Sequence, residues 1–158
     1  MSLRKLTALV AAGIVTLSIA SAWAQGEVVL PALDPAIATM TPEELVEARQ
    51  AAMKENGGIL RGAGALAGAD TVTAAETLVE NFTNLPHMFP EGSIVGDSKA
   101  LPAIWENWDT FTGIFAQARV ASEAALVAAQ ANDTAGFQAA LQPIGPLCGQ
   151  CHQQFRAE

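Results

Sequence analysis

Cys148 and Cys151 stand three residues apart, and His152 follows at once. This order, Cys-x-x-Cys-His, is the attachment signature of a c-type haem. Each thiol can add across one haem vinyl group to give a thioether, and the adjacent imidazole can reach the iron from one face. On a helix, positions three apart lie on the same side, so both sulfurs can meet the vinyls of one ring. Three other uses of the pair compete with this one. A thioredoxin-like dithiol normally opens a helix in a βαβ setting, and no strand pattern precedes this one. A structural zinc site needs four ligands, and beyond the motif the chain offers only His87 and no third cysteine. A plain disulfide suits an oxidising compartment but leaves His152 without a role.

Only six residues follow His152, so a second axial ligand must come from earlier in the chain. The donors are Met40, Met53, Met88 and His87. Of these only Met53 falls on the inward stripe of a well-signalled helix. A methionine there is equally at home as ordinary core, and periodicity leaves both readings open.

The elements that must position these groups are helical. Thr41, Pro42 and Glu44 form the cap, first position and capping box of a first helix. Its apolar stripe is Leu45, Ala48, Ala52 and Met53; Gly57 and Gly58 weaken it beyond Asn56. Thr73 and Glu76 repeat the capping spacing and predict a second helix carrying Leu78, Val79, Phe82 and Leu85, ended by Pro86. Residues 87–100 read as a long loop with a solvent-facing His87. A third, longest helix is predicted from Pro102 to about Ala129, where Ile104, Trp105, Trp108, Phe111, Phe115, Ala118, Ser122 and Leu126 recur at helical spacing. A fourth begins near Thr134 with Phe137, Ala140, Leu141 and Ile144 inward. No segment alternates convincingly as a strand. The fold class is therefore all-α, an antiparallel up-down four-helix bundle. Its alanine-rich core is short of large side chains, a deficit that a buried planar cofactor would fill.

At the N-terminus Arg4 and Lys5 precede an uncharged stretch from Leu6 to Ala20, and Ala22-Trp23-Ala24 follows. This is the pattern of a secretory signal peptide cleaved after Ala24. The stretch holds 15 residues, whereas a bilayer span needs about 20. Residues 1–24 are thus expected to be removed, residues 25–40 to form an extended leader, and residues 41–158 to form one cytochrome domain, exported to the periplasm with no membrane span after cleavage. Residues 1–24 hold two of the eight basic residues and none of the sixteen acidic ones, so the chain from Gln25 carries a formal charge of about −10. Such a charge disfavours nucleic acid and favours a redox partner with a basic docking surface.

An attachment motif at the end of an exported four-helix chain resembles the class II cytochromes c, the group that includes cytochrome c prime. The similarity runs from about Glu43 to Arg156. It is carried by Arg49-Gln50-Ala51-Ala52-Met53, by Pro102-Ala103-Ile104-Trp105 with Phe111, and by Cys148-Gly149-Gln150-Cys151-His152 with Phe155-Arg156. The resemblance implies a bundle, often a homodimer, that holds one haem c. It places Arg49 near a haem propionate, where guanidinium and carboxylate pair well, and Arg156 near the proximal side. It puts Met53 on the distal side, either as sixth iron ligand in a low-spin electron carrier or unligated in a high-spin protein open to nitric oxide or carbon monoxide. No catalytic dyad points to an enzyme. Pro143 and Pro146 depart from the family pattern and predict a break near Gln142. His87-Met88 is a second departure, at a place where relatives often carry an aromatic residue.

Overall fold

The computed structural model describes residues 32–158. The expected signal peptide, residues 1–24, and residues 25–31 of the expected leader lie outside that range. The α-helical segments are α1 (Pro42–Gly62), α2 (Ala69–Asn84), the single turn α3 (Ala103–Glu106), α4 (Trp108–Gln130), α5 (Thr134–Leu141) and α6 (Ile144–Phe155). Short 3-10 turns lie at Pro35–Thr39, Ala63–Ala65 and Leu85–Met88. α1, α2, α4 and the α5–α6 pair are the four arms of the bundle. Among the described residues the only strand-like pairing is an isolated antiparallel bridge between Ala100 and Arg156.

The first cap forms as its sequence demands. Thr41 Oγ1 accepts from the Glu44 amide at 3.3 Å, and the Thr41 amide donates to Glu44 Oε2 at 2.7 Å. α1 then continues through Gly57 and Gly58 to Gly62, further than helix propensity alone supports. Ile59 and Leu60 pack against the core on the far side of the glycines, and that burial outweighs a propensity cost of about 1 kcal/mol per glycine.

Three other boundaries differ from the expected ones, and a fourth, the break near Gln142, falls where it was expected. The leader is not wholly extended: Asp34 accepts from the Ala36 amide at 2.9 Å and caps the turn Pro35–Thr39, which buries Ile37. α2 begins at Ala69, one turn before Thr73, because Gly68 adopts φ +56 and turns the chain. Thr73 is therefore interior, and its carbonyl accepts from Thr77 Oγ1. The predicted third helix is split at Asn107 (φ −131, ψ 42), whose side-chain amide and backbone amide both donate to the Ala103 carbonyl. That competition for one acceptor ends α3, and α4 restarts when the Phe111 amide reaches Asn107. The fourth arm breaks at Gln142, between α5 and α6. Pro143 is the cap of α6, and Pro146 sits in its first turn, where a missing N–H forfeits no intrahelical bond.

The core is continuous across the arms. Phe111 of α4 is its aromatic hub, with ring centroids of Phe89, Phe115 and Phe155 at 5.0, 5.0 and 5.2 Å, all edge-to-face. Such pairs add about 0.5–1.5 kcal/mol each beyond the area they bury. Elsewhere the arms approach on small residues, with Ala75, Ala118, Ala125 and Ala129 buried. No helix among the described residues is long and apolar enough to cross a membrane.

Candidate functional site

α6 is aimed by two devices. Its start is freed from α5 by the break at Gln142, and its end is fastened: the Leu101 amide donates to the Phe155 carbonyl at 3.0 Å, and the Ala157 amide to the Lys99 carbonyl at 2.8 Å. Held this way, α6 buries Cys151, half-buries Cys148 and leaves His152 more exposed. Both cysteines are free thiols. Burial pushes Cys148 up, and burial together with the neighbouring Cys148 charge pushes Cys151 up to about 11. A redox dithiol needs the opposite, a lowered thiol pKa, so the environment does not suit thioredoxin-like exchange. Desolvation, then the Arg156 charge, hold the His152 imidazole below its ordinary value. At pH 7 it is neutral, the form that donates a lone pair to a metal.

Cys151 and His152 face a cavity of about 440 Å³, within the usual range for cofactor sites. Phe89, Ile104, Phe111 and Phe155 supply apolar wall, and Met53 enters from α1. A second void of about 20 Å³ lies beside it, between Met53, Phe82, Ile114, Phe115 and the attachment helix at Cys148, Cys151 and His152. Met53, Cys151 and His152 therefore wall both spaces, which brings together residues separated by a hundred positions. Met53 itself is half-buried.

One turn before Met53, Arg49 also lines the larger cavity. It is 4% exposed, so it is not the solvated arginine that a helix surface usually carries. Its guanidinium donates to the Met88 carbonyl at 2.8 Å, Ser93 Oγ at 3.0 Å, the Ser93 carbonyl at 2.7 Å and Ser98 Oγ at 2.7 Å. It also lies 4.4 Å from the Phe89 ring centroid. All of these partners are neutral. A buried cation without an anion is costly, and desolvation pushes its pKa down. A macrocycle with apolar faces and two carboxylate tails is complementary to this cavity, because much of its wall is apolar and its charged lining groups are all cations.

His87 is exposed and Met88 is buried in the core away from these walls; the cavity takes neither side chain. Sequence reasoning missed Ser93 and Ser98, which sit in what reads only as a loop, and Lys54 and Lys99 at the rim. Arg49 was the signal for the serines: a buried guanidinium needs acceptors, and the loop across from it supplies them.

The cytochrome C' family profile matches residues 44–156 of this chain. A cytochrome c-556 of Agrobacterium tumefaciens is 40% identical over 121 residues, covering 70% of this chain and 95% of the relative. A cytochrome c-554 of Cereibacter sphaeroides is 35% identical over 125 residues, covering 72% and 93%. Among solved structures, the cytochrome c' of Rhodopseudomonas palustris is similar with a TM-score of 0.64 at 28% identity, over 75% of this chain and 98% of that one.

Proposed function

Because this chain belongs to the cytochrome c' family and is a monohaem c-type cytochrome, we propose that it is an exported electron carrier whose haem occupies the Arg49–Met53–His152 cavity. Haem c supplies a one-electron iron couple when bound. The chain's own residues do the rest. Cys148 and Cys151 would hold the ring through two thioethers, and His152, its imidazole pKa held below the ordinary value, would supply a nitrogen ligand. Arg49 receives a propionate and so gains the anion that its neutral cradle lacks. Phe111 and Phe155 would help to keep water from the cavity, and Met53 would offer a thioether there. A methionine ligand raises the reduction potential, which suits outer-sphere transfer to a redox partner protein without substrate turnover. The carrying observation is that Met53 and His152, from opposite arms, wall the same cavity.

A second reading is favoured by the small void beside Met53. Space against an unligated thioether would admit nitric oxide or carbon monoxide at a vacant sixth site. The absorption spectrum of the reduced, haem-loaded protein separates the two. Sharp low-spin bands support the carrier; a broad high-spin spectrum with rapid carbon monoxide binding supports the gas binder. Haem staining after denaturing electrophoresis tests the attachment itself, since Cys148→Ala/Cys151→Ala should abolish the stained band. Export to the periplasm and cleavage after Ala24 predict an intact mass equal to the chain from Gln25 plus one haem, and a homodimer predicts twice that mass by sedimentation.

A further inference from the structure

Six cations remain in the chain from Gln25: Arg49, Lys54, Arg61, Lys99, Arg119 and Arg156. Four of them, Arg49, Lys54, Lys99 and Arg156, line the 440 Å³ cavity, and no Asp or Glu does. This is an unexpected place for them in a chain with sixteen carboxylates. Lys54, Lys99 and Arg156 are exposed at the rim, whereas Arg49 is inside. The only side-chain ion pair among the described residues is Arg119–Glu123 on α4, so none of the four is paired with an Asp or Glu side chain. Lys99 Nζ donates at 2.8 Å to a main-chain oxygen of Glu158, the last residue, whose carboxylate offsets part of the Lys99 charge, and Asp97 approaches the edge by accepting from Gln50 at 3.2 Å, so Lys54 and Arg156 are the rim cations without an acidic neighbour of this kind. Haem propionates would compensate two of the four positive charges, one of them on Arg49.

We propose that the rim of this cavity, built on Lys54, Lys99 and Arg156, is the docking surface for an acidic electron-transfer protein. The inference rests on the electron-carrier reading and narrows its partner. Counted over the whole chain, charge argues for a basic partner. Placed in space, it argues for the opposite at the point where electrons leave. The deciding magnitude is the screening length, about 8 Å at physiological salt. Carboxylates on distant faces are damped at that range, while the rim cations act at contact. The net negative charge then weakens distant attraction, and the rim sets the orientation of the encounter.

Two measurements on the haem-loaded protein test this. In the first, oxidation by ferricyanide, an anion, and by cobalt tris(phenanthroline), a cation, is followed by stopped flow from about 0.01 to 0.15 M ionic strength. The ferricyanide rate is expected to fall as salt rises, and Lys54→Glu/Lys99→Glu to lower it by about tenfold at low salt and invert its salt dependence. A wild-type rate that rises with salt follows the net charge and overturns the proposal. In the second, poly-L-glutamate is titrated into isotopically labelled protein. Amide shifts are expected at Lys54, Lys99, Ala100 and Arg156, and are expected to vanish in the double variant. Shifts elsewhere, or none, overturn protein docking even if ferricyanide responds, because the rim would then serve small anions alone. Slow reaction with both oxidants would instead defeat the electron-carrier reading, and the poly-L-glutamate shifts would still report on the surface by themselves.

Discussion

Met53 lines the same cavity as Cys151 and His152, and in the proposed site its single sulfur would decide what the distal face can do. Met53→Ala is expected to convert a six-coordinate low-spin haem into a high-spin one and to lower the reduction potential, since a donor that favours ferrous iron is gone. Visible spectroscopy and potentiometry read both changes. A variant that matches wild type in spectrum, potential and carbon monoxide rate would return Met53 to ordinary packing. Arg49 has a structural share as well. Arg49→Leu strands two carbonyls and two hydroxyls that the guanidinium now satisfies. An unpaired buried group costs about 1–3 kcal/mol, so thermal unfolding should report a loss of at least that size. Arg49→Lys should recover only part of it, because a point ammonium cannot span four acceptors held by a planar fork.

Helices, by contrast, are governed by their ends. Thr41→Ala should destabilise the bundle by about 1 kcal/mol through loss of the α1 cap. The same cap has a pH signature. Hydrogen bonds from Thr41 hold the Glu44 carboxyl below its ordinary value of 4.5. Its folded pKa is thus depressed, so its contribution is complete above 4.5 and is lost as pH falls through the lower folded value. Thermal melts across that acidic window should show the loss in wild type and not in Glu44→Gln. Where local chemistry dictated an end, the sequence was legible: Thr41 with Glu44, and Pro143, act where their residue types predict. Where an end depended on distant partners, it was not legible. The persistence of α1 past Gly57 comes from core contacts of Ile59 and Leu60, and the break at Asn107 from a side chain competing with its own backbone. Likewise Cys148, Cys151 and His152 announce themselves by spacing, whereas the acceptors of Arg49 are set by a loop whose path no periodicity encodes.

For the whole molecule, the break at Asn107 and the break at Gln142 divide the long arms into pieces that need not move together, yet one fastening spans them. The bridge at Ala100 and Arg156 joins the segment before α3 to the end of α6 through the Leu101 and Ala157 amides. Considered as a clasp in time, it gives the cavity rim one opening event instead of two. Lifting residues 99–101 must release both amides together, so their hydrogen exchange should share one rate and slow together once haem anchors α6. Lys99 and Arg156 sit on opposite halves of that clasp, so a partner that grips both would slow the exchange again. Unequal rates at Leu101 and Ala157 would mean that the halves part independently. Equal rates that lengthen on haem attachment would make the clasp a clock for access to the iron.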